Sequence, residues 1–264
     1  MLQGALHIHS TWSDGEFSLG EVREILMEAG CRFACVTDHA DGFDDARLAA
    51  YRRECEQLSD ARFVFIPGLE YSCAGRMHII GYGHTERLDT IDPETVIRSI
   101  RRNGGVAVIA HPRTEAFEAI ERFDPLPDGI EVWNSKYDGQ YAPRSGTFAL
   151  LSRLQGRRPD MRAYYGIDLH WRRQFRGLFV EVACETIDAD AIMKAVRRGE
   201  YAGVKGQLRL RSDGVLPPET VTRFEAAHER SERLRRVVGL AKRLADKVGF
   251  VVPRTVKAQL RRIF

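Results

Sequence analysis

This sequence of 264 residues lacks the features of membrane, secreted and disulfide-rich proteins. No apolar run approaches the ~20 residues that a membrane-spanning helix needs. The N-terminus has no basic segment followed by an apolar one, so no signal peptide is predicted and a cytoplasmic location is expected. The five cysteines form no CxxC pair, which is typical of reduced thiols rather than of disulfides or a zinc ribbon. Cys31 and Cys35 are therefore expected to be packing residues.

The composition is that of a folded globular protein, with 44% hydrophobic and 29% charged residues. Its length fits one barrel or two small domains. The charge is uneven: residues 211–264 hold 13 Lys/Arg and 6 Asp/Glu, a net of +7, and the remaining chain has a net of −4. We therefore predict a barrel over residues 1–212 and a basic helical extension over residues 213–264.

Short apolar runs alternate with helical patterns over residues 1–210, without an internal repeat. The predicted strands are Ala5–His9, Phe33–Thr37, Phe63–Pro67, His78–Gly81, Val106–Ala110, Gly129–Trp133, Ala163–Ile167 and Leu178–Val182. The predicted helices are Leu19–Ala29, Asp45–Leu58, Pro93–Asn103, Tyr141–Leu154 and Ala189–Arg198, with Gly30, Asp92 and Asp188 as caps. Such alternation predicts parallel strands with helices outside, and seven or eight units indicate an α/β barrel.

The first strand carries two histidines, His7 and His9, separated by one apolar residue. Side chains at i and i+2 of a strand lie on the same face, so both imidazoles are expected to reach one point, as a metal ion requires. The alternative is a strand with two solvated polar residues. The rest of the chain decides between these interpretations.

Further polar residues lie at the predicted strand ends, where the active sites of parallel barrels form. Each has an ordinary explanation by itself, such as a turn residue, a surface carboxylate or a hydrogen-bonded core histidine. Together, nine nitrogen and oxygen ligands without cysteine favour two or three ions that share a carboxylate. The candidates are His7, His9, Asp14, His39, Glu70, His78, His111, Asp168 and His170. Asp38 is expected to orient an imidazole, because adjacent residues of a strand point in opposite directions.

The motifs resemble those of the PHP (polymerase and histidinol phosphatase) family, in family order, over roughly residues 5–205. They are H-x-H at His7, S-D-G at Asp14, T-D-H at Asp38, G-x-E at Glu70, H-I-I-G-Y at His78, H-P at His111 and G-x-D-x-H at Asp168. The resemblance implies a distorted (β/α)7 TIM-like barrel and a trinuclear site that holds zinc, manganese or iron.

Carried over by position, the resemblance implies three groups of ligands. His7, His9, Glu70 and Asp168 would hold the first ion. Glu70 would bridge to a second ion with His78 and His111, and Asp14, His39 and His170 would hold the third.

The expected activity is hydrolysis of phosphate esters, as a phosphatase or phosphodiesterase, by a metal-activated hydroxide at a di- or trinuclear site. The predicted catalytic residues are Asp38, Arg113 and His170. The predicted contacts to a small phosphorylated substrate are Arg76, Arg113, Asn134, Arg172 and Arg173, since arginine forks bind phosphate. The alternatives are a non-catalytic metal-binding module that acts through a partner, and hydrolysis of a C–N or another non-phosphate bond.

Pro217 and Pro218 mark the start of the basic extension, where residues 219–249 have a helical pattern with apolar residues at helical spacing. The simplest interpretation is a helix packed on the barrel. The other is a basic amphipathic segment that contacts a membrane surface or nucleic acid.

Overall fold

The computed structural model describes residues 1–138 and 142–247. The strands are β1 (Leu2–Ile8), β2 (Phe33–His39), β3 (Val64–Cys73), β4 (Met77–Tyr82), β5 (Val106–Ala110), β6 (Gly129–Asn134), β7 (Arg162–Leu169), β8 (Phe179–Val182), β9 (Tyr201–Lys205) and β10 (Leu208–Arg211). The helices are α1 (Leu19–Glu28), α2 (Asp45–Gln57), α3 (Pro93–Arg102), α4 (Phe117–Glu121), α5 (Ser145–Gln155), α6 (Ala189–Arg198) and α7 (Pro218–Lys247).

Strands β1 to β7 pair in chain order, and β7 pairs back with β1, so the sheet closes into a seven-stranded barrel. The strand cores are almost wholly buried, as shown by Leu6, Val108 and Ile167 at 1%, 0% and 0% exposure. The helices cover the barrel with apolar faces such as Leu19, Val22 and Leu26 of α1. The predicted α/β barrel is confirmed. Cys31 and Cys35 lie buried in this core as predicted.

Strand β4 departs from the predicted parallel arrangement, because it runs antiparallel to both β3 and β5. β3 extends to Cys73, beyond its predicted end, and turns through residues 74–76 directly into β4. The turn contains Gly75 at φ +73°, a conformation that favours glycine. Because β4 begins where β3 ends, its first residues lie at the same rim as the carboxyl ends of the parallel strands.

Strand β8, predicted as a barrel strand, lies outside the closed barrel. It pairs antiparallel with Leu2–Gly4 of β1, while Leu6 and Ile8 of β1 pair with β7. β8 and β7 therefore pair with the same edge of β1, β8 with its first half and β7 with its second. The sheet continues from β8 through β9 to β10, all antiparallel.

The predicted helix starts are largely confirmed by their caps. The side chain of Asp92 accepts a hydrogen bond from Thr95 N, and that of Asp188 accepts one from Ala191 N. Helix α5 begins at Ser145 rather than at Tyr141, which lies outside the described residues. Pro143 accounts for part of the difference, because the residue before a proline is disfavoured in helical conformation.

Helix α7 begins at Pro218, and its first turns pack on the barrel through Phe224, which is 2% exposed, and Ala227. Residues 248–264, including the end of the predicted tail, lie outside the described residues. Within the described part of the chain, no helix is long and apolar enough to cross a membrane.

Candidate metal centre

All nine predicted ligands lie at one rim of the barrel. His39 ends β2 and pairs in register with Glu70 of β3. His78 near the start of β4 pairs with Ala110, the residue before His111. The remaining candidates are at the end of β1, in the loop after it, and at the end of β7.

The first strand reaches this rim through a bulge rather than by the regular alternation expected from the sequence. Leu6 pairs with Cys35 but Ile8 with Val36, so His7 is an extra residue on β1. The bulge still brings the imidazoles together, with 3.2 Å between Nε2 of His7 and Nε2 of His9.

Backbone strain is concentrated in the same place. Among the described residues, the non-glycine residues with positive φ are His7, Arg76, His111 and Asp168, all of them predicted site residues. Such conformations cost on the order of 1 kcal/mol or more each and persist only where the surrounding structure enforces them. Three of the four belong to the ligand cluster, and this coincidence supports the rim as the candidate site.

Glu70 is the centre of the cluster, with five imidazoles around its 1%-exposed carboxylate. Its Oε1 lies 3.5 Å from Nε2 of His7, 2.9 Å from Nδ1 of His78 and 3.2 Å from Nε2 of His111. Its Oε2 lies 3.2 Å from Nε2 of His9 and 3.3 Å from Nδ1 of His39. The two oxygens face different sets of imidazoles, as in a carboxylate that bridges two cations.

The possible ligand atoms fall into four overlapping groups, each with its atoms within 4.8 Å of one another. The groups are His9, Asp14, His39 and His170; His7, His9 and Asp168; His7, Glu70 and His111; and His39, Glu70 and His78. They contain all nine expected ligands but divide them differently from the family pattern. His78 and His111 fall in different groups, although both lie next to Oε1 of Glu70.

The cluster lowers the pKa of its two buried carboxylates, Glu70 and Asp168. Burial by itself would raise the pKa of Glu70 and of Asp168, but nearby imidazoles, above all His7, hold both pKa values well below their usual range. Burial would likewise lower the pKa of His7, but Glu131, Asp168 and Glu70 raise it well above the ordinary value. Burial lowers the pKa of His39. The result is two buried anions among imidazole donors.

This donor set fits divalent cations. Its ligands are imidazole nitrogens and carboxylate oxygens, and no cysteine belongs to a candidate group among the described residues. Nδ1 of His39 is buried and has no hydrogen bond, although it faces the cluster. A buried polar nitrogen without a partner is costly unless a ligand satisfies it.

Glu131, in the middle of β6, is a site residue that the sequence interpretation missed. It is 1% exposed, and its Oε1 lies 2.7 Å from Nδ1 of His7. Its Oε2 accepts hydrogen bonds from His111 N and from Asn134 Nδ2. A carboxylate behind a ligating imidazole fixes its orientation and tautomer. A glutamate within an apolar run was the available signal, the same one that identified Glu70.

Asn134 was expected to contact substrate, but the structure places it behind the cluster. Its side chain is 0% exposed and donates to Glu131 and to Asp168, with Nδ2 3.2 Å from Asp168 Oδ2. Its Oδ1 accepts from the backbone N–H groups of Lys136 and Tyr137. The geometry therefore favours a positioning role for Asn134 over the expected substrate contact, which stays a prediction.

Asp38 also lies behind the cluster and belongs to none of the four ligand groups. Its carboxylate accepts hydrogen bonds from Ser10 N, Ser10 Oγ and Ser13 Oγ. Ser13 lies next to Asp14, so these bonds hold the loop that carries an exposed ligand. Ser13 Oγ also lies 3.5 Å from Nδ1 of His9, so the geometry favours a positioning role for Asp38, and its catalytic role stays a prediction.

Two clefts border the cluster and meet at His78. The arginine cleft, about 440 Å³, is lined by His78, His111 and several other residues that include Arg76, Arg113, Tyr137 and Arg144. The tryptophan cleft, about 450 Å³, is lined by Trp12, Asp14, His39, Arg47, Ser72 and others. Arg144 and Trp12 were not singled out from the sequence.

The predicted arginines separate into two pairs. Arg76 and Arg113 line the arginine cleft. Arg172 and Arg173 line neither of the two clefts and are exposed, and the Arg173 guanidinium lies over the ring of Trp171, 4.9 Å from its centre. The clefts favour Arg76 and Arg113 as phosphate contacts, and the expected contact of Arg172 and Arg173 with substrate stays a prediction.

Lys136 brings a fixed positive charge to the cluster. Its Nζ lies 3.1 Å from Asp168 Oδ1 and 3.4 Å from both ring nitrogens of His170. Its side chain is 22% exposed, so the ammonium faces both the cluster and the open rim.

Comparison with solved structures identifies the fold. The chain matches a two-domain protein from Bacteroides vulgatus ATCC 8482, described as containing a predicted PHP-like metal-dependent phosphoesterase, with a TM-score of 0.58. The match has 16% sequence identity and covers 79% of this chain and 66% of that one. This chain has the PHP fold. The resemblance that the motifs indicated is thereby confirmed at the level of the fold.

Two further similarities were found, one in structure and one in sequence. PsfC from Pseudomonas syringae PB-5123 matches with a TM-score of 0.52 and 13% identity, over 88% of this chain and 98% of that one. In sequence, the DNA polymerase/3'-5' exonuclease PolX of Bacillus subtilis (strain 168) is 38% identical over 64 residues, 22% of this chain. The matched stretch makes up 11% of that polymerase. No family model matches the chain.

Proposed function

We propose that this protein is a metal-dependent hydrolase of phosphate esters. The proposal rests on Glu70, a buried carboxylate with five imidazoles around its two oxygens. It lies at the rim of a PHP-fold barrel where the parallel strands end. Divalent ions bound there would supply Lewis-acid stabilisation of phosphoryl oxygens and an activated water.

The residues around Glu70 are proposed to have different roles. The nine ligand candidates hold the ions, and Glu131, Asn134 and Asp38 fix the orientation of those ligands from behind. The guanidinium groups of Arg76 and Arg113 bind the phosphoryl group from the arginine cleft, since planar guanidinium forks match phosphate oxygens. The ammonium of Lys136 lies close enough to the cluster to neutralise a further phosphoryl oxygen.

The shape of the site is compatible with more than one class of phosphate ester. The arginine and tryptophan clefts meet at His78, so a substrate has room on both sides of its phosphorus. This arrangement accommodates a phosphodiester as well as a monoester. Zinc, manganese and iron remain the candidate metals.

A substrate panel tests the proposal. The full chain is freed of metal with a chelator, reconstituted separately with Zn²⁺, Mn²⁺ and Fe²⁺, and assayed on sugar phosphates, nucleotides, histidinol phosphate, phosphodiesters and simple amides. We expect phosphate-ester hydrolysis that chelation and Asp168→Ala abolish. Metal binding without turnover of any compound would favour a non-catalytic module, and turnover of amides alone would favour C–N hydrolysis.

A further inference from the structure

The second half of helix α7 exposes an apolar stripe, formed by Leu234, Val237, Leu240 and Leu244. Their exposed fractions are 43%, 60%, 55% and 62%. The spacing of three or four residues places all of them on one side of the helix. Single exposed apolar residues are ordinary, but a contiguous row of large ones marks an interaction surface.

The barrel does not cover this stripe. Helix α7 has 30 residues and is therefore about 45 Å long, whereas α5, which it contacts, has 11 residues and is about 16 Å long. The barrel contacts use the first part of α7, at Phe224 and Ala227. The apolar stripe lies beyond them.

Basic residues accompany the stripe. Arg233, Arg236 and Arg243, here called the basic flank, each directly precede a stripe residue, so they lie along one side of it. All three are exposed. Residues 230–247 hold seven Lys/Arg and two Asp/Glu, while the chain before residue 211 has a net charge of −4. Positive charge is thus concentrated on the part of the protein that exposes apolar surface.

We propose that this half of α7 docks on an anionic lipid surface, with the apolar stripe at the boundary between headgroups and acyl chains and the basic flank against the headgroups. A helix with an apolar face and a Lys/Arg-rich polar face is the type that lies in the membrane interface. Anionic headgroups attract each Lys or Arg that reaches them.

The same features disfavour two other occupants. A second copy of α7 would bring two basic flanks side by side along a coiled-coil seam, where like charges repel. Nucleic acid would use the arginines but would leave the apolar stripe in water, and residues 225–247 contain no Phe, Trp or Tyr for base stacking.

Vesicle flotation of the full chain tests the proposal, with phosphatidylcholine vesicles that contain or lack phosphatidylglycerol. We expect binding only to the anionic vesicles, weakened by high salt. Val237→Glu with Leu244→Glu should reduce the bound fraction at least about tenfold. The matched control is Val215→Glu, because Val215 is 65% exposed but precedes α7, and this variant should bind like the unchanged chain.

Circular dichroism and thermal melting establish that each variant is folded. A second test leaves the apolar stripe intact and replaces the basic flank, by combining Arg233→Ser, Arg236→Ser and Arg243→Ser. It should weaken binding to anionic vesicles. Absence of binding at low salt, or equal loss in the Val215→Glu variant, would overturn the proposal. A dimer that Val237→Glu with Leu244→Glu dissociates, or binding to RNA or DNA without binding to vesicles, would do so as well.

Discussion

The carboxylate of Glu131 lies 2.7 Å from Nδ1 of His7, and both side chains are buried in the centre of the barrel. The contact joins the middle of β6 to the bulge of β1. It leaves Nε2 of His7 as the nitrogen that faces Glu70. The orientation of the first histidine of the site therefore depends on a residue 124 positions away in the sequence.

Replacing Glu131 by glutamine should weaken metal binding about 10- to 100-fold without unfolding the protein, as loss of a partner behind a metal ligand typically does. Glu131 accepts hydrogen bonds at both oxygens, so a glutamine amide would face at least one donor with its NH₂ group. Calorimetric titration with Mn²⁺ or Zn²⁺ measures the change. Glu181→Gln on β8, outside the barrel, is the control, and an equal loss in both variants would contradict the role of Glu131.

Gly166 should tolerate no side chain. A Cβ there would lie 1.8 Å from Oε1 of Glu131 and 3.0 Å from Cβ of His7, so Gly166→Ala must displace the pair that orients the site. We expect a loss of about 1–3 kcal/mol in the free energy of unfolding, as for other overpacked cores. Gly146→Ala is the matched control, since its Cβ would meet no atom closer than 3.9 Å. Chemical denaturation compares them, and equal stability of the two variants would count against this packing.

The two groups of arginines should differ in their effect on the reaction. Arg113→Ala removes a charge from the arginine cleft and should raise KM about tenfold or more, because hydrogen bonds to a charged group contribute roughly 1.5–3 kcal/mol. Arg172→Ala should leave KM within about twofold, as expected for a surface change. Steady-state kinetics on the best substrate of the panel measures both. A larger change in KM for Arg172→Ala than for Arg113→Ala would show that the phosphate binds outside the arginine cleft.

Metal binding should release protons, and affinity should rise with pH. Burial by itself would lower the pKa of His7, but Glu131, Asp168 and Glu70 raise it well above its ordinary value, so a proton on this imidazole must leave before it becomes a ligand. Apparent affinity should therefore increase as the pH rises towards that pKa and level off above it. Titration calorimetry in buffers with different ionisation enthalpies counts the protons. Affinity independent of pH, with no proton release, would contradict this protonation state.

The ligand set was largely accessible from the sequence because its members lie close to strand ends. Strand-end histidines and carboxylates interrupt apolar runs, as His111 does after Val106–Ala110, and a barrel brings such positions together. The sequence does not show strand direction. The apolar run after His78 is equally compatible with a parallel and an antiparallel β4. Nor does it show the extra residue at His7 that forms the bulge, because strand register depends on pairing with β2.

The residues behind the ligands were harder to predict, since their partners are distant in the sequence. Asn134 follows a strand end and resembled a substrate contact, but its amide is used by Glu131 and Asp168. Arg172 and Arg173 follow His170 by two and three residues, yet they line neither of the two clefts. Sequence proximity to a ligand does not by itself show which cleft a side chain lines.

Anomalous diffraction from crystals of the metal-loaded full chain tests the central claim most directly. We predict difference peaks at the absorption edge of the bound metal, located among His7, His9, Glu70, His111 and Asp168, with at least one peak next to a carboxylate oxygen of Glu70. A map without peaks at this rim, or with peaks only at other surfaces, would contradict the proposed metal centre and the phosphoesterase activity that depends on it.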